Sequence, residues 1–342
     1  MTKQTICFVA GKSGGHIIPC LTLAQRYKDT CNDLSVLFFS TNTPLDKIIL
    51  SHTNLITWHI PLPLSSIQAN TILQHIHVLL NAARSVLLSF VHLYKHKPSC
   101  IISTGGIVAL PVCLAGLILR IPIILYCLDA VPGKAIKTLS PFASSIFVAF
   151  NHARQFFPAQ RCSVKAYPIK YVEKEKNIIT TDAHKNIGLD FNKKTILVLG
   201  GSQGSVFLND CIKKLIKDPS FSSQTLQIIH QTGSIDQTDW KQLYQDNNIT
   251  AHIFSYTQNL SSFYVLADII ICRAGAGTLF EIEFFKKKCI IIPLITNTTS
   301  HQIDNARAIT NQYPDLFCWI HQQKVEKNPE VFFSLLTRML TH

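Results

Sequence analysis

Four stretches carry residue types whose spacing suits chemistry. Two are glycine loops, Gly11-Lys12-Ser13-Gly14-Gly15-His16 and Gly200-Gly201-Ser202-Gln203-Gly204-Ser205, each between a short apolar run and a helical pattern. Glycine lets the backbone approach a phosphate closely, and a helix start adds N–H groups and the positive end of its dipole. For one loop a plain strand-to-helix turn is the competing reading; two matching loops favour ligands. In the third stretch, Asp268 to Glu281, the residues Gly275, Ala276 and Gly277 open a helix with Glu281 about one turn inside. A carboxylate there suits a vicinal diol such as a ribose beside a diphosphate, against an ordinary glutamate favoured by the helix dipole. The fourth, Ser300 to Asn305, gathers polar side chains, Gln302 and Asn305 among them, after an apolar strand; a solvated loop is the alternative.

Several familiar chemistries are excluded by spacing. A P-loop needs glycine where Ile6 stands, neither loop spells the dinucleotide fingerprint, and no Asp-x-Asp occurs to hold a metal-bound nucleotide sugar. His16 is the first candidate for a base, because imidazole titrates in the useful range and sits in a glycine loop. A structural histidine binding backbone competes with that role.

The elements that must position these residues are short and nearly continuous in apolar character. Strands are expected at Thr5 to Ala10, Ser35 to Phe39, Ser99 to Ile102, Pro122 to Tyr126 and Ser145 to Phe150. A second set is Thr195 to Gly200, Leu226 to His230, Ala251 to Phe254, Asp268 to Cys272 and Lys288 to Pro293. Such runs alternating with helices are strands of parallel sheets covered on both faces, so the fold class is α/β. The lysine-rich segment Tyr167 to Lys194 reads as an interdomain connection. Two strand-loop-helix starts then imply twin Rossmann-like domains, expected at 1–165 and 166–325, with a terminal helix at 326–342 that Asn328 caps.

Composition narrows the class further. The 342 residues suit two domains at roughly 100–200 residues each. With 47% hydrophobic and 15% charged residues the chain is globular. The eleven cysteines lie mostly in apolar runs without a Cys-x-x-Cys pair, as reduced core thiols of a cytoplasmic protein do. Mean hydropathy is +0.21, yet the most apolar run, Gly105 to Leu119, is too short to span a bilayer and reads as buried. Ile72 to Tyr94 is a helix with two apolar sets. Ile72, Leu73, Ile76, Leu79, Leu80, Ala83, Leu87, Phe90, Val91 and Tyr94 form the stripe expected to face the core. Val78, Val86, Leu88 and Leu93, beside Arg84, Lys95 and Lys97, suit an anionic bilayer face, with a helix packed on both sides as the competing reading. A net charge of +12 also admits nucleic acid, but no signature of a nucleic-acid-binding fold is present and none is expected as a partner.

The motifs Gly14-Gly15-His16-Ile17-Ile18-Pro19, Ser103-Thr104-Gly105-Gly106, Gly200 to Gly204, His230-Gln231-Thr232-Gly233, Arg273 to Glu281, and Gln302 with Asn305 occur in one order along most of the chain. Together they resemble the MurG family, GT-B glycosyltransferases that add N-acetylglucosamine to the lipid-linked muramyl-pentapeptide of peptidoglycan. The resemblance implies two Rossmann-like domains with a cleft between them and an inverting transfer from UDP-N-acetylglucosamine to a C4 hydroxyl, with no cofactor and no metal required. It implies a peripheral position on the cytoplasmic face of the plasma membrane, with anionic lipid and an undecaprenyl-diphosphate-linked acceptor as partners. It further implies that Ser202, Gln203 and Gly204 meet the donor diphosphate and that Glu281 holds the ribose diol, with Gly275 also at the donor. Tyr256 and Thr257 fall at the uracil and Gln302 at the amino sugar, with Asn305 also at the donor. Ser13, Gly14, Gly15, His16, Gly105, Gly106 and Lys170 fall at the acceptor and its diphosphate.

Departures from that pattern are specific. Lys12 replaces a glycine, Tyr126-Cys127-Leu128-Asp129 replaces a His-Glu-Gln-Asn stretch, and Lys170 replaces an arginine and its bidentate fork. Asp129 is therefore only the second candidate for the base. The rivals are a UDP-sugar transferase or epimerase of the same architecture with another acceptor, and a non-catalytic nucleotide-binding protein.

Overall fold

The computed structural model describes residues 4–341 apart from 32, 65–70, 179, 202–203, 219–220, 222–223, 258 and 296–300, and only the backbone at 72, 73, 181 and 182. The chain forms two compact units, Met1–Lys170 and Tyr171–His342.

In the first unit the elements are β1 (Thr5–Val9), α1 (Gly14–Thr30), β2 (Ser35–Thr41), α2 (Pro44–Ser51), β3 (Trp58–Leu62), α3 (Ile72–His96), β4 (Ile101–Ser103), α4 (Ala109–Ile118), β5 (Ile123–Cys127), α5 (Lys134–Leu139), β6 (Ser145–Val148) and β7 (Cys162–Val164). Among the described residues they build a seven-stranded sheet in the order β3-β2-β1-β4-β5-β6-β7, with every pairing parallel. The chain winds outward from β1 on one side, then returns to β4 on the other. Cys7, Phe8, Val9, Val36, Leu37, Phe38 and Phe39 are wholly buried, each contributing about 1.5–3 kcal/mol of hydrophobic stabilisation.

The second unit contains α6 (Thr180–Asn186), β8 (Lys194–Leu199), α7 (Val206–Leu215), β9 (Leu226–Gln231), α8 (Trp240–Asp246), β10 (Ala251–Phe254), α9 (Ser261–Leu266), β11 (Ile269–Cys272), α10 (Ala276–Phe284), β12 (Lys288–Ile291), α11 (His301–Gln312), β13 (Phe317–Trp319), α12 (Gln322–Lys327) and α13 (Glu330–Thr341). Its six described strands follow the order β10-β9-β8-β11-β12-β13, again all parallel. Asn328 Oδ1 accepts from the Glu330 N–H at 3.0 Å at the head of α13. That helix buries Phe332, Phe333 and Leu336 in the core with Ile196, Val198, Ile271 and Ile290, while Val331 stays exposed.

Two expectations change. The segment 171–194 is not a connection but part of the second unit: Tyr171 is buried, and Gln227 Nε2 donates to the Asp190 carbonyl at 2.7 Å while its Oε1 accepts the Asp190 N–H at 2.9 Å. Helix α3 is turned the other way round. Its stripe of Ile76, Leu79, Leu80, Leu87, Val91 and Tyr94 is exposed, Leu79 to 69%, whereas Ser85, Ser89 and Leu93 are buried and Val78, Val86 and Leu88 are half-buried. The inward serines cost little, because their hydroxyls donate to the Asn81 and Ser85 carbonyls at 2.7 Å within the helix. Helix α4, which packs beside α3, is not simply buried either. It exposes Leu110, Leu114 and Ile118 at helical spacing. By length and apolarity alone Gln74–His96 suffices to cross a membrane. The Trp58 ring lies 4.1 Å from His96 and Phe39 6.5 Å from His92, so one side of α3 rests along the sheet.

Candidate functional site

In an open parallel sheet, ligands bind beyond the carboxyl ends of the strands where the winding direction reverses. That point lies between β1 and β4 in the first unit and between β8 and β11 in the second. Three of the four loops there are among the stretches identified by spacing, and the fourth, Gly105-Gly106 after β4, carries one of the motifs of the family resemblance.

In the first unit the loop after β1 is tightly held. A Cβ on Gly11 would stand 2.8 Å from the Thr41 backbone nitrogen. Lys12 adopts a left-handed conformation (φ 73°), and its N–H donates to Asp46 Oδ1 at 3.1 Å. The fully buried Asp46 also accepts from the Thr41 hydroxyl, and its own N–H donates to the Thr43 hydroxyl at 3.2 Å. This clamp leaves the Lys12 side chain exposed. Ser13 precedes α1 in an extended conformation, and Gly14, Gly15 and His16 form its first turn. The Thr104 hydroxyl donates to the His16 carbonyl at 2.9 Å.

Gly105 (φ 103°) and Gly106 (φ 85°) require glycine's conformational freedom. A Cβ at Gly105 would lie 3.5 Å from His16 Cε1, and one at Gly106 would lie 3.2 Å from the Gly11 carbonyl oxygen. The two glycine loops and the imidazole thus share one small surface at the start of α1. Asp129 stands two residues past β5, which β4 separates from β1. Lys170 is exposed and ends the unit; beside it the Ile169 carbonyl accepts from Arg26 Nη2 at 3.1 Å.

In the second unit Gly204 (φ 82°) packs so closely that a Cβ would come within 2.6 Å of Gly233 Cα. The apposed turn is pinned by the fully buried Asn209 of α7, whose Nδ2 donates to the Thr232 carbonyl at 3.0 Å and to Asp236 Oδ2 at 2.7 Å. Asn209 Oδ1 must then accept from His230 Nε2 at 3.1 Å, leaving His230 Nδ1 to accept from the Tyr244 hydroxyl at 2.8 Å. Burial lowers His230 to about 3, with Asp236 opposing, so the ring is neutral. Ser205 caps α7, its Oγ accepting from the Leu208 N–H at 3.3 Å and from Arg273 Nε at 3.0 Å. Arg273 Nη1 donates to the Ile292 carbonyl at 2.9 Å and to Gln322 Oε1 at 3.0 Å. Burial brings its guanidinium down to about 10, still a cation at neutral pH, so positive charge stands at this switch point.

Gln302 and Asn305 brace the same loop. Gln302 Oε1 accepts the N–H groups of Ala274 at 3.2 Å and Leu294 at 2.9 Å, while Asn305 Nδ2 donates to the Ala274 carbonyl at 3.2 Å. Asn305 is wholly buried, so it shapes the loop from behind and does not line an open surface. Gly275 begins α10 with nothing within 4 Å of where a Cβ would stand. Glu281, half-buried on α10, accepts at Oε2 from the Tyr264 hydroxyl at 2.8 Å. Tyr256 is exposed after the outer strand β10, and the Thr257 hydroxyl turns back to the Asn259 carbonyl at 3.3 Å. Ser202 and Gln203 lie outside the described residues.

Sequence reasoning missed Asp46, Tyr264 and the support given by Arg273, Asn209 and His230. Thr43-Pro44 followed by Asp46 does spell a helix start, but burial of that aspartate against Lys12 has no local signal. A groove of about 940 Å³ lined by Trp319, His321, Lys324, Lys327, Val331 and Arg338 contains none of the candidate residues.

Residues 6–148 match the glycosyltransferase family 28 N-terminal domain and residues 195–341 its C-terminal domain. A relative from Francisella tularensis subsp. holarctica, a UDP-N-acetylglucosamine–N-acetylmuramyl-(pentapeptide) pyrophosphoryl-undecaprenol N-acetylglucosamine transferase, is 31% identical over 96% of this chain and 87% of its own length. The crystal structure of Acinetobacter baumannii MurG aligns with a TM-score of 0.76 at 24% identity, covering 98% of this chain and 91% of that one. The UDP-GlcNAc 2-epimerase of Neisseria meningitidis aligns at 0.59 and 14% identity over 91% and 92% of the two chains. At those identities the structures speak for the GT-B fold alone; the sequence relationship separates transferase from epimerase. The chain belongs to the MurG family, within glycosyltransferase family 28.

Proposed function

We propose that this protein transfers N-acetylglucosamine from UDP-N-acetylglucosamine to the C4 hydroxyl of lipid-linked N-acetylmuramyl-pentapeptide. The observation that carries the proposal is the presence of two glycine-loop switch points, one in each unit, the first beside an imidazole and the second beside a half-buried arginine and a diol-type carboxylate. The second unit takes the donor. Backbone N–H groups at the start of α7, with the Arg273 cation behind them, suit a diphosphate, and Glu281 suits the ribose. Tyr256 and Thr257 serve the uracil, Ser202, Gln203 and Gly204 the diphosphate, and Gln302 the sugar. The first unit takes the acceptor, with its own diphosphate at Ser13 to Gly15 and Gly105-Gly106 and with Lys170 as a further cation.

The reaction is a single displacement. The acceptor O4 forms a bond to the donor C1 while the bond from C1 to the diphosphate oxygen breaks, inverting the anomeric centre. His16 removes the O4 proton, with Asp129 as second candidate, and UDP leaves with the bonding electron pair. Fixed N–H donors and a half-buried cation stabilise the charge that develops on the leaving oxygen, so the reading requires no metal. Supply of radiolabelled UDP-N-acetylglucosamine and a lipid-linked muramyl-pentapeptide tests this. Label in the lipid fraction as a β-linked sugar, with one UDP released per transfer, is expected; free sugar or an epimerised donor would overturn it.

The acceptor's lipid gives the exposed side of α3 and α4 a purpose. Leu79, Leu80, Leu87 and Val91 with Leu110, Leu114 and Ile118 form an apolar face on two adjacent helices. Exposed Arg84, Lys95, Lys97 and Arg120 add roughly 1 kcal/mol each at an anionic bilayer. The helix lies along the membrane surface, as its buried serines require, at the cytoplasmic face where the nucleotide donor is made.

A further inference from the structure

A glutamate on a helix surface has three rotatable bonds, and ordering it for a ligand costs up to about 2 kcal/mol. Glu281 does not meet that cost at the moment of binding, because Tyr264 already holds its Oε2 at 2.8 Å. Tyr264, on α9, is wholly buried and cannot swing. Its ring lies edge-on to Tyr171 (5.9 Å, 80°) and stacks on Phe285 (5.1 Å, 21°). Tyr171 in turn accepts the Leu260 N–H at 3.1 Å, just ahead of α9. Burial, then the neighbouring Glu281 charge, push the Tyr264 phenol well above its ordinary value, so it is a permanent donor. A carboxylate has about four acceptor positions, and the phenol fixes the plane in which the others point.

We propose that Tyr264 is a positioning residue for the donor: its hydroxyl sets the Glu281 carboxylate in the orientation that receives the ribose hydroxyls, and thereby sets the preference for a ribonucleotide donor. This rests on the reading that Glu281 binds the ribose. The ribose is remote from the breaking bond, so its contacts are alike in ground and transition states, and losing them raises KM while leaving kcat.

The test compares steady-state kinetics with UDP-N-acetylglucosamine and its 2′-deoxyuridine analogue in the parent protein, Tyr264→Phe and Glu281→Ala. Tyr264→Phe is expected to raise KM for the ribose donor roughly five- to tenfold, with kcat within about twofold, and to narrow the ribose-to-deoxyribose preference by a similar factor. A purely structural role would lower activity with both donors equally, and that result, or an unchanged preference, would overturn the proposal. If Glu281→Ala loses the preference and Tyr264→Phe keeps it, the positioning role alone fails. If Glu281→Ala keeps the parent preference, the ribose reading fails and takes the proposal with it.

Discussion

The two units share a topology and differ in what their loops and outer helices are made of. Both reverse winding beside their first strand, and both place a glycine loop and a helix start at that point. In the first unit the loop is fastened from below by the buried carboxylate of Asp46 and carries His16; in the second it stands before Arg273 and Glu281. The outer surfaces diverge as well. The second unit covers part of its core with Phe332, Phe333 and Leu336 of α13, whereas the first leaves the apolar stripes of α3 and α4 open. On the proposed reading, one scaffold serves two ligand classes, a soluble anion and a lipid, through the side chains placed on it.

The difference can be broken or sharpened by experiment. The largest effect is expected at His16. Loss of the proposed base in His16→Ala should lower kcat by about 10²–10⁴-fold with donor KM near the parent value, as steady-state kinetics at saturating donor will read. Next comes the proposed lipid face. Leu79→Glu combined with Ile118→Glu should reduce binding to anionic liposomes by about tenfold or more in a sedimentation assay, since each change removes apolar contact and adds repulsion. Donor affinity should remain unchanged, because both residues belong to the first unit.

The glycines give a finer contrast. An alanine Cβ at Gly204 would meet Gly233 Cα at 2.6 Å, whereas one at Gly106 would meet the Gly11 carbonyl at 3.2 Å, and both positions have positive φ. Each backbone strain costs about 1–3 kcal/mol, and the closer clash makes Gly204→Ala the more destabilising in thermal melts. It should raise donor KM, where Gly106→Ala raises acceptor KM.

A separate effect is expected on the pH dependence of stability. His230 is held near 3 in the fold against 6.5 when unfolded, so the unfolded chain binds more protons between those values. Its contribution to stability is complete above pH 6.5 and is lost as pH falls toward 3. A melting-temperature profile over that range should flatten in His230→Gln.

What the sequence reveals follows from how burial is encoded. Central strands such as β1, β8 and β11 are apolar on both faces and stand out as continuous runs. The strands β3, β7 and β13 escape notice because they are edges: β3 alternates in exposure and contains Pro61, and the other two span three residues each. The periodicity of α3 reveals a stripe but not the medium that stripe faces, and two buried serines inverted the assignment. Glycine loops and Glu281 are legible because backbone approach and charge have local signatures. Their supports are not, since Asp46 meets Lys12 across 34 residues, Asn209 meets His230 across 21 and Tyr264 meets Glu281 across 17.

The division of labour between the units is tested most directly by calorimetric titration of UDP into His16→Ala and Glu281→Ala beside the parent protein. The account predicts that His16→Ala binds UDP with the parent Kd and that Glu281→Ala weakens binding about tenfold or more. Equal weakening in both variants, or weakening in His16→Ala alone, would contradict it.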